Sequence, residues 1–485
     1  MLKQTLVLGL LTLSGLYSAH AQEVLTLEKA LNTAFEHSPS LIQSKLSLEQ
    51  RQLNLKAQDA SLKSQFSLDV TPFRYTRNNQ YDNFNSKWYA NETKMSSASF
   101  GITQPIKWTD GTISLYNDFS WQDASNRTSG GNNTSFNHNL SLRISQPLFT
   151  YNRTKMQLKE LEYALENAKI SYALQQLSIE KNVTSQFYDV YQKDLNISRD
   201  EYNNQKQNYD IIKNKVEAGL LAKEELYQAE VNLANSESTV YSKEISFENA
   251  KDNFKLLLGM SLDEDIAILF DNNIPTVDVN INDAVKYALD QRMEIRQKQI
   301  TLEQDVFSII RTKAESEFKG DLSVRVGMDA LAGKVKNMYD KPTDNEEVGV
   351  TLTIPIFDWG AKKAKVKSSQ LAMESDEISL EEQKKEIVID VRQICRNLPT
   401  LIRQIEIKKK SIENAERTYE INLEKYRNGN LTGMDLQQFQ NQLTTAKQDY
   451  TSAIISYKIE LLNLKIQTLW DFETHKSYLP VDLLK

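Results

Sequence analysis

The chain contains two successive copies of one unit. Residues 25–49 align without a gap with residues 279–303. Two further pairs of blocks match in the same order: 145–153 with 353–361, and 215–226 with 425–436. The distance between matched blocks shortens after the first pair, which places about 45 additional residues in the first copy, between its first two blocks. We therefore predict a first repeat over residues 22–271 and a second over residues 272–485.

The N-terminal residues have the pattern of a secretory signal peptide. Lys3 precedes an apolar run too short to span a membrane, and Ala19-His20-Ala21 supplies the small residues of a cleavage site. We expect residues 1–21 to be this leader. After it, no stretch approaches about 18 consecutive apolar residues, so no transmembrane helix is predicted. An exported chain of this kind is periplasmic or secreted, or it enters a membrane as β-strands.

Composition argues against several classes of function. The formal net charge is −7 without a basic patch, so we expect no nucleic-acid partner. Cys395, the only cysteine, has apolar neighbours and is predicted to be a packed helix residue, not a reactive thiol. No phosphate-binding loop or nucleophile motif occurs, and His37, His138 and His475 lack metal-ligand spacing. We predict no catalytic residue, metal site or cofactor, and do not expect an enzyme.

Four segments carry apolar residues at seven-residue spacing, the pattern of helices that supercoil around a neighbour. In the first copy these residues are Tyr188, Leu195, Tyr202, Tyr209 and Val216, then Leu226, Leu233, Val240, Phe247 and Phe254. In the second copy they are Val391, Leu398, Ile405, Ile412, Tyr419 and Tyr426, then Leu436, Leu443, Tyr450, Tyr457 and Leu464. Each copy is predicted to end in a long antiparallel helical hairpin with a glycine in its turn, over about 152–258 and about 362–470.

Before each hairpin, apolar and polar residues alternate as in β-strands. The apolar residues are Phe66, Leu68 and Val70, then Leu140, Leu142 and Ile144; in the second copy they are Leu322, Val324, Val326 and Met328, then Val348, Val350, Leu352 and Ile354. Strands of about 10 residues with one apolar face are typical of outer-membrane barrels, although a soluble sandwich with one wet face has the same pattern. We place the strands within about 66–149 and about 321–356.

The connections favour the barrel over the sandwich. Residues 77–97 and 123–137 are polar and rich in Asn, Gly and Ser, so we expect long outer loops there. Asp110-Gly111, by contrast, predicts a tight hairpin turn. The surplus of the first copy, roughly 98–108 and 111–122, either adds two barrel strands or only decorates the rim.

The duplicated order of helix, strand, loop, strand, long helix, glycine turn and helix, behind a leader, resembles the TolC-like outer-membrane efflux protein family. The resemblance is carried by two strand-to-helix junctions and two glycine turns: Gln146-Pro147-Leu148-Phe149, Ile354-Pro355-Ile356-Phe357, Ala218-Gly219-Leu220 and Asn428-Gly429-Asn430. It implies an α-helical coiled-coil barrel joined to a transmembrane antiparallel β-barrel, assembled as a homotrimer from duplicated helix–strand–strand–helix units. The β-barrel would lie in the outer membrane and the helical tunnel in the periplasm.

The resemblance also implies a function and partners. It implies the exit duct of a multi-component efflux or type I secretion system. The expected partners are outer-membrane lipid, an inner-membrane transporter, and a periplasmic adaptor (membrane fusion) protein that docks at Gly219-Leu220 and Gly429-Asn430. Drug efflux, metal efflux and protein export all stay open.

The family's pattern at the second turn implies a gate at the tip of the tunnel. Asp435 and Tyr426 match that pattern, whereas Leu431 and Gln438 replace its basic residue and its second acid. Glu225 occupies the acidic position in the first copy. Three copies of Asp435 around an axis would form a carboxylate ring that attracts cations. An Asp in the first turn of a helix is also simply favourable for the helix dipole.

The alternative is an exported structural or adhesive coiled-coil protein. That hypothesis explains the heptads but not the duplicated amphipathic strands.

Overall fold

The computed structural model describes residues 23–83, 86–126, 131–193, 196–271, 273–315 and 317–478. The predicted leader, residues 1–21, lies outside these ranges. The chain divides into two compact units, and each contains segments of both predicted repeats. The hairpin unit comprises Met1–Ser44, Ala173–Arg292 and Ile387–Lys485. The sheet unit comprises Lys45–Tyr172 and Met293–Glu386.

Helices make up most of the described chain. They are α1 (Leu27–His37), α2 (Pro39–Ser61), α3 (Arg153–Gln192), α4 (Asn196–Glu217), α5 (Lys223–Leu258), α6 (Ile281–Gln291), α7 (Met293–Glu315), α8 (Ala361–Arg427) and α9 (Gly433–Thr468). The first copy's long helix is described as α3 and α4, whereas its counterpart α8 continues through Pro399. Across the described ranges, no helix has both the length and the hydrophobicity to cross a membrane.

The heptad residues occupy the packed side of these helices. In the second copy Val391, Leu436, Tyr457 and Leu464 are fully buried, and Phe254 is fully buried in the first. A seven-residue apolar row can be buried along its length only against a neighbouring helix. The buried rows therefore agree with the coiled packing that their spacing predicts.

The described strands are β1 (Glu23–Leu25), β2 (Gln65–Asp82), β3 (Lys87–Ile106), β4 (Gly111–Asn126), β5 (Gly131–Leu148), β6 (Ile266–Ile268), β7 (Lys319–Ala332), β8 (Thr343–Thr353), β9 (Trp470–Asp471) and β10 (Lys476–Ser477). In the hairpin unit β1 pairs with β6 in parallel, and β9 pairs with β10. The sheet unit contains one antiparallel sheet of six strands in the order β2-β3-β4-β5-β7-β8.

The expected long outer loops at 77–97 and 123–137 are wrong over the described residues. The β2–β3 ladder continues to the pair Asp82–Lys87, and the β4–β5 ladder continues to Asn126–Gly131. Polar composition misleads here because backbone groups form the ladder whatever the side chains are. Cross-strand side chains add to the pairing, since the Asn91 amide donates to Gln80 Oε1 at 2.9 Å.

The surplus of the first copy forms two strands inside the sheet. Residues 98–108 and 111–122 fall largely within β3 and β4, which pair with each other and with β2 and β5. The predicted turn at Asp110-Gly111 is confirmed, because Ile106 pairs with Gly111 across it. The surplus is therefore an inserted hairpin, which we call the β3–β4 hairpin.

The turn of the β3–β4 hairpin also caps the long helix of the first copy. Asp110 Oδ1 accepts a hydrogen bond from the Thr154 backbone N–H at 3.0 Å, and Arg153 Nε donates to Asp110 Oδ2 at 2.9 Å. Burial raises the pKa of Asp110, but the hydrogen bonds from Thr154 and Arg153 outweigh burial and leave the pKa below its ordinary value. A local cap of α3 adds to these bonds, since Asn152 Oδ1 accepts from the Lys155 N–H at 2.7 Å. In the second copy the cap of α8 is local, since Asp358 Oδ2 accepts from the Lys362 N–H at 2.7 Å.

Two glycines at helix ends allow a matched test of packing in the hairpin unit. Gly219 and Gly259 have nearly the same backbone conformation, with φ of +74° and +75°. A Cβ on Gly259 would lie 2.1 Å from the His37 carbonyl oxygen, whereas nothing lies within 4 Å of a Cβ on Gly219. We expect Gly219→Ala to cost about 1 kcal/mol of unfolding free energy, from left-handed strain alone. Gly259→Ala should cost roughly 3 kcal/mol or more, because the backbone of His37 must also move.

Denaturant unfolding of the two variants in detergent, followed by circular dichroism, measures this difference. Equal losses of stability in both variants would contradict the tight packing at Gly259.

Candidate functional site

The two predicted glycine turns lie in the hairpin unit and share one hydrogen-bond pattern. At the end of α4, the Gly219 N–H donates to the Val216 carbonyl at 3.0 Å, and the Leu220 N–H donates to the Lys215 carbonyl at 2.8 Å. Gly219 has a φ of +74°. A left-handed glycine with these two bonds is a Schellman motif, which satisfies carbonyls left free at a helix end.

The second turn repeats this geometry at the end of α8. The Gly429 N–H donates to the Tyr426 carbonyl at 3.0 Å, the Asn430 N–H donates to the Lys425 carbonyl at 2.9 Å, and Gly429 has a φ of +81°. Both glycines are exposed, with nothing within 4 Å of a Cβ built on either. Leu220 and Asn430 are also exposed. Each turn thus presents an open surface on a well-defined backbone.

A shared apolar core lies beneath the turns. Ile212 and Ala229 of the first hairpin pack with Tyr426 and Leu436 of the second, and all four are buried. We call this group the tip core. Because both hairpins contribute to it, the two glycine turns are held beside one another.

Tyr426, predicted as a gate residue, is the largest side chain of the tip core. Only 3% of its surface is exposed, and its hydroxyl has no hydrogen-bond partner in the described part of the chain. Burial, followed by the negative charge of Glu225, raises the pKa of Tyr426 to about 12. The ring is therefore a packing element in this chain, and the hydroxyl stays neutral at physiological pH.

Lys215 is a residue of this site that the sequence analysis missed. Its Nζ donates to the Tyr426 carbonyl at 2.8 Å and lies 4.7 Å from the centre of the Tyr426 ring. The ammonium group thus meets the carbonyl end of α8, where a cation is favourable. The available signal was a basic residue in the last turn of α4, but its partner in the other hairpin is a long-range contact.

The two acidic positions differ between the copies. Asp435 is exposed and lies in the first turn of α9, which Thr432 caps: the Asp435 N–H donates to Thr432 Oγ1 at 3.2 Å, and Thr432 Oγ1 donates to Asp435 Oδ2 at 2.7 Å. In the first copy Ala222 occupies the capping position and makes no side-chain hydrogen bond.

Glu225 instead contacts the neighbouring hairpin. It is half-buried, and its Oε2 lies 3.5 Å from the position of a Cβ built on Gly433, the first residue of α9. A carboxylate beside a helix N-terminus is favoured by the helix dipole. Glu225 and the Asp435 turn are therefore close to each other, and both acids contribute to the start of α9.

A buried polar layer joins α4 and α9. Gln205 Nε2 donates to the side chain of Gln437, and Gln440 Nε2 donates to the Glu201 carbonyl at 3.2 Å. Gln205 and Gln440 are buried, at 4% and 1% exposure. A polar pair inside a coiled interface fixes its register, because a shifted register would leave the amides unpaired.

A polar groove runs between α8 and α9 of the second hairpin. Its volume is 790 Å³, and its lining includes Asn414, Thr418, Gln438 and Asn441. Gln438, which replaces the family's second acid, therefore faces a mostly uncharged polar groove whose lining also includes the carboxylate of Asp449. No cluster of three or more potential metal-ligating side chains occurs within the described ranges.

The two junction prolines, Pro147 and Pro355, belong to the sheet unit. Pro147 is still within β5, opposite Asp321 of β7. Pro355 follows the end of β8 in an exposed extended segment. Both precede a long helix, as the sequence predicts.

Comparison with known proteins identifies the repeated unit. The family model described as outer membrane efflux protein matches residues 112–259 and 311–466, one segment from each repeat. Nodulation protein T of Rhizobium leguminosarum bv. trifolii is 22% identical over 316 residues. That match covers 62% of this chain and 65% of the relative's length.

Solved outer membrane channels share the fold. The CmeC outer membrane channel of Campylobacter jejuni superimposes with a TM-score of 0.70 at 16% identity, over 93% of this chain and 86% of that one. The outer membrane protein VceC of Vibrio cholerae gives 0.65 at 13% identity, over 93% and 96%. The open state of the MtrE outer membrane channel of Neisseria gonorrhoeae gives 0.64 at 16% identity, over 91% and 88%.

The buried hydroxyl of Tyr426 predicts a pH effect on stability. The unfolded tyrosine ionises near its ordinary pKa of 10.0, whereas the folded pKa is about 12. Stability should therefore be constant below the unfolded pKa and fall as pH rises from about 10 toward 12, by up to about 1.4 kcal/mol per pH unit. Tyr426→Phe should make this fall shallower by the share of one tyrosine, because other buried tyrosines such as Tyr188 also have a raised pKa, and at neutral pH it should cost little because it deletes an unpartnered hydroxyl.

Denaturant unfolding of wild type and variant between pH 8 and about 11 measures this effect. Tyr227→Phe, at a side chain that is 63% exposed, is the matched control and should follow the wild type. Parallel wild-type and Tyr426→Phe curves would show that the hydroxyl is not buried in the folded state.

Proposed function

The chain belongs to the outer membrane efflux protein family, and we propose that it acts as a homotrimer that forms the exit duct of a multi-component efflux or type I secretion system. The amphipathic strands of three chains would close a transmembrane β-barrel in the outer membrane, and the heptad helices would form a coiled-coil tunnel in the periplasm. Membership of the family favours this duct over the exported structural or adhesive coiled-coil protein.

The observation that carries the proposal is the pair of Schellman turns over one tip core. Two copies of the hairpin end at the same place in the chain's hairpin unit, held by Tyr426 and its neighbours. Such an end is suited to contact other proteins, because its backbone is fixed while its surface is open. Mass measurement of the protein in mild detergent tests the assembly. A trimer is expected, and a stable monomer or dimer would contradict the duct.

The glycine turns are the proposed docking surface for a periplasmic adaptor protein, which would link the duct to an inner-membrane transporter. Gly219, Leu220, Gly429 and Asn430 are exposed on the two turns. The polar groove between α8 and α9 adds uncharged hydrogen-bonding groups beside the second turn. An interface of this composition suits a reversible contact, since it can be exposed to water when the partner is absent.

Asp435 and Glu225 are the proposed acidic groups of the gate. Three copies of the exposed Asp435 carboxylate around a narrow axis would repel one another and attract cations. Glu225, on α5 beside the start of α9, would add a second negative charge near the ring. The Asp435 carboxylate accepts a hydrogen bond from Thr432 Oγ1 but is exposed, so it would remain available to cations.

Gly429→Val tests the docking turn. A β-branched residue is strained at a φ of +81°, so the turn should change shape while the tip core keeps the hairpins together. We expect a trimer that still reaches the outer membrane and a loss of efflux of about tenfold or more, corresponding to about 1.4 kcal/mol. Dye accumulation in cells that depend on this protein measures efflux.

Gly333→Val is the matched control, because a Cβ there meets only the Thr134 carbonyl at an ordinary 3.7 Å. The control should export normally. Normal efflux by the Gly429→Val trimer would contradict docking at the turn.

Asp435→Asn and Thr432→Ala separate a gate from a helix cap. Both substitutions weaken the hydrogen bonds between Thr432 and Asp435, but only Asp435→Asn removes the carboxylate. In planar bilayers we expect Asp435→Asn to weaken the block by a trivalent cation by roughly tenfold and to reduce cation preference. Thr432→Ala should keep both properties. Equal changes in the two variants would reduce Asp435 to a helix-capping residue.

A further inference from the structure

One face of the six-stranded sheet is apolar across the inserted hairpin and the strands on both sides of it. The register places Phe66 beside Ile102, Ile102 beside Leu115, Leu115 beside Leu142, and Leu142 beside Val326. Directly paired residues point to the same face of a sheet. The apolar face of the neighbouring strands β2 and β5 therefore continues across the β3–β4 hairpin without a break.

The opposite face is polar along the same strands. One row across the sheet consists of Asp69, Ser99, Asp118, Asn139 and Asp329. Within it, Ser99 donates to Asp118 and Asn139 donates to Asp329. A hairpin that only decorated a rim would not need to match both faces, so the β3–β4 hairpin is built as part of one amphipathic wall.

The two edges of this wall fit each other in direction. Within the described residues, β2 and β8 each pair with one strand of the sheet. Because the six strands are antiparallel and even in number, the edge strands run in opposite directions. The β8 edge of one copy can therefore pair antiparallel with the β2 edge of a second copy, which an odd number of strands would forbid.

The register across the sheet gives the slope needed for closure. A row of directly paired residues crosses the sheet from Gln65, the first residue of β2, to Glu347 of β8. The end of β8 on the same side of the sheet as Gln65 is Thr353. The row therefore moves six residues along the strands in crossing the sheet, which is about one residue per strand. At about 3.3 Å per residue and 4.8 Å between strands, this slope is a tilt of about 35°, within the range of closed barrels.

With the strand ends level, the residues of the two edges match. Pairing of Gln65 with Thr353 of a second copy places Phe66 beside Leu352, and continues to Leu68 beside Val350. These apolar side chains are all more than half exposed in the single chain. Apolar neighbours are favourable across strands.

We propose that three copies join through these edges into one wall of about 18 strands, in which the β3–β4 hairpin widens the pore. The inference rests on the trimer of the proposed function. Without the hairpin the same assembly would contain about 12 strands. At the tilt derived above, the backbone diameter is about 34 Å for the larger wall and about 23 Å for the smaller.

A disulfide tests the pairing of the edges. In a Cys395→Ser background, Ser67→Cys and Thr351→Cys should meet across the copies on the polar face, where a directly opposed pair is close enough to bridge. The expected product is a covalent trimer that reductant dissolves. The control combines Leu68→Cys with Thr351→Cys, which point to opposite faces and should not bridge. Intact trimers in which the Ser67–Thr351 pair fails to bridge would overturn this pairing.

Electron microscopy of the purified wild-type protein tests the width of the wall. A ring of about 34 Å is expected, and removal of Lys87–Asn126 should narrow it by a factor of about 1.5. The wild-type ring alone distinguishes the two widths, even if the deletion variant does not fold. A trimer with a ring of about 23 Å would overturn this inference alone, whereas particles that are not trimers would overturn the proposed function.

Discussion

Burial of the heptad side chains is the interaction on which the helical hairpins depend. Outside the heptad rows these helices still expose apolar side chains such as Val231, Ile245 and Ile407, so the heptad seam accounts for the packing within the chain but not for all of the apolar surface. The tip core extends this packing from one hairpin to the next, because Tyr426 is enclosed by Ile212 and Ala229 from the other copy. The glycine turns fix the backbone geometry at the ends of the hairpins, whereas the tip core beneath them holds the two turns close to each other.

The two copies have diverged in how their helices begin. In the second copy both caps are local: Asp358 caps α8, and Thr432 caps α9. In the first copy α3 has a local cap, Asn152, and a second one from Asp110 in the inserted hairpin, whereas Ala222 before α5 makes no side-chain capping bond. The first copy therefore depends more on contacts that are distant in sequence, which is one physical reason why equivalent substitutions in the two repeats should differ in effect.

Local periodicity made much of this fold predictable. The heptads gave the helices, the alternation around Leu68 and Val350 gave the strands, and the glycines gave the turns, because each signal is read within one element. The outer halves of β2 and β3 were mistaken for a loop, since polar residues such as Arg77 hide a ladder that the backbone makes. At the tip, Lys215 and the position of Glu225 were beyond prediction, because their partners belong to the other repeat.

The inserted hairpin illustrates a general constraint on walls of antiparallel strands. A single added strand would turn one edge around and prevent identical copies from pairing, so a change of width must come as two strands per chain. If each of the two added strands is offset from its neighbour by about one residue, like the other strands, the tilt of the strands is unchanged. The insertion can therefore widen the proposed pore without changing the direction in which the chain leaves β5 and enters α3. Asp110, in the turn of the inserted hairpin, also accepts a hydrogen bond from the first turn of α3 and so helps to fix the start of that helix.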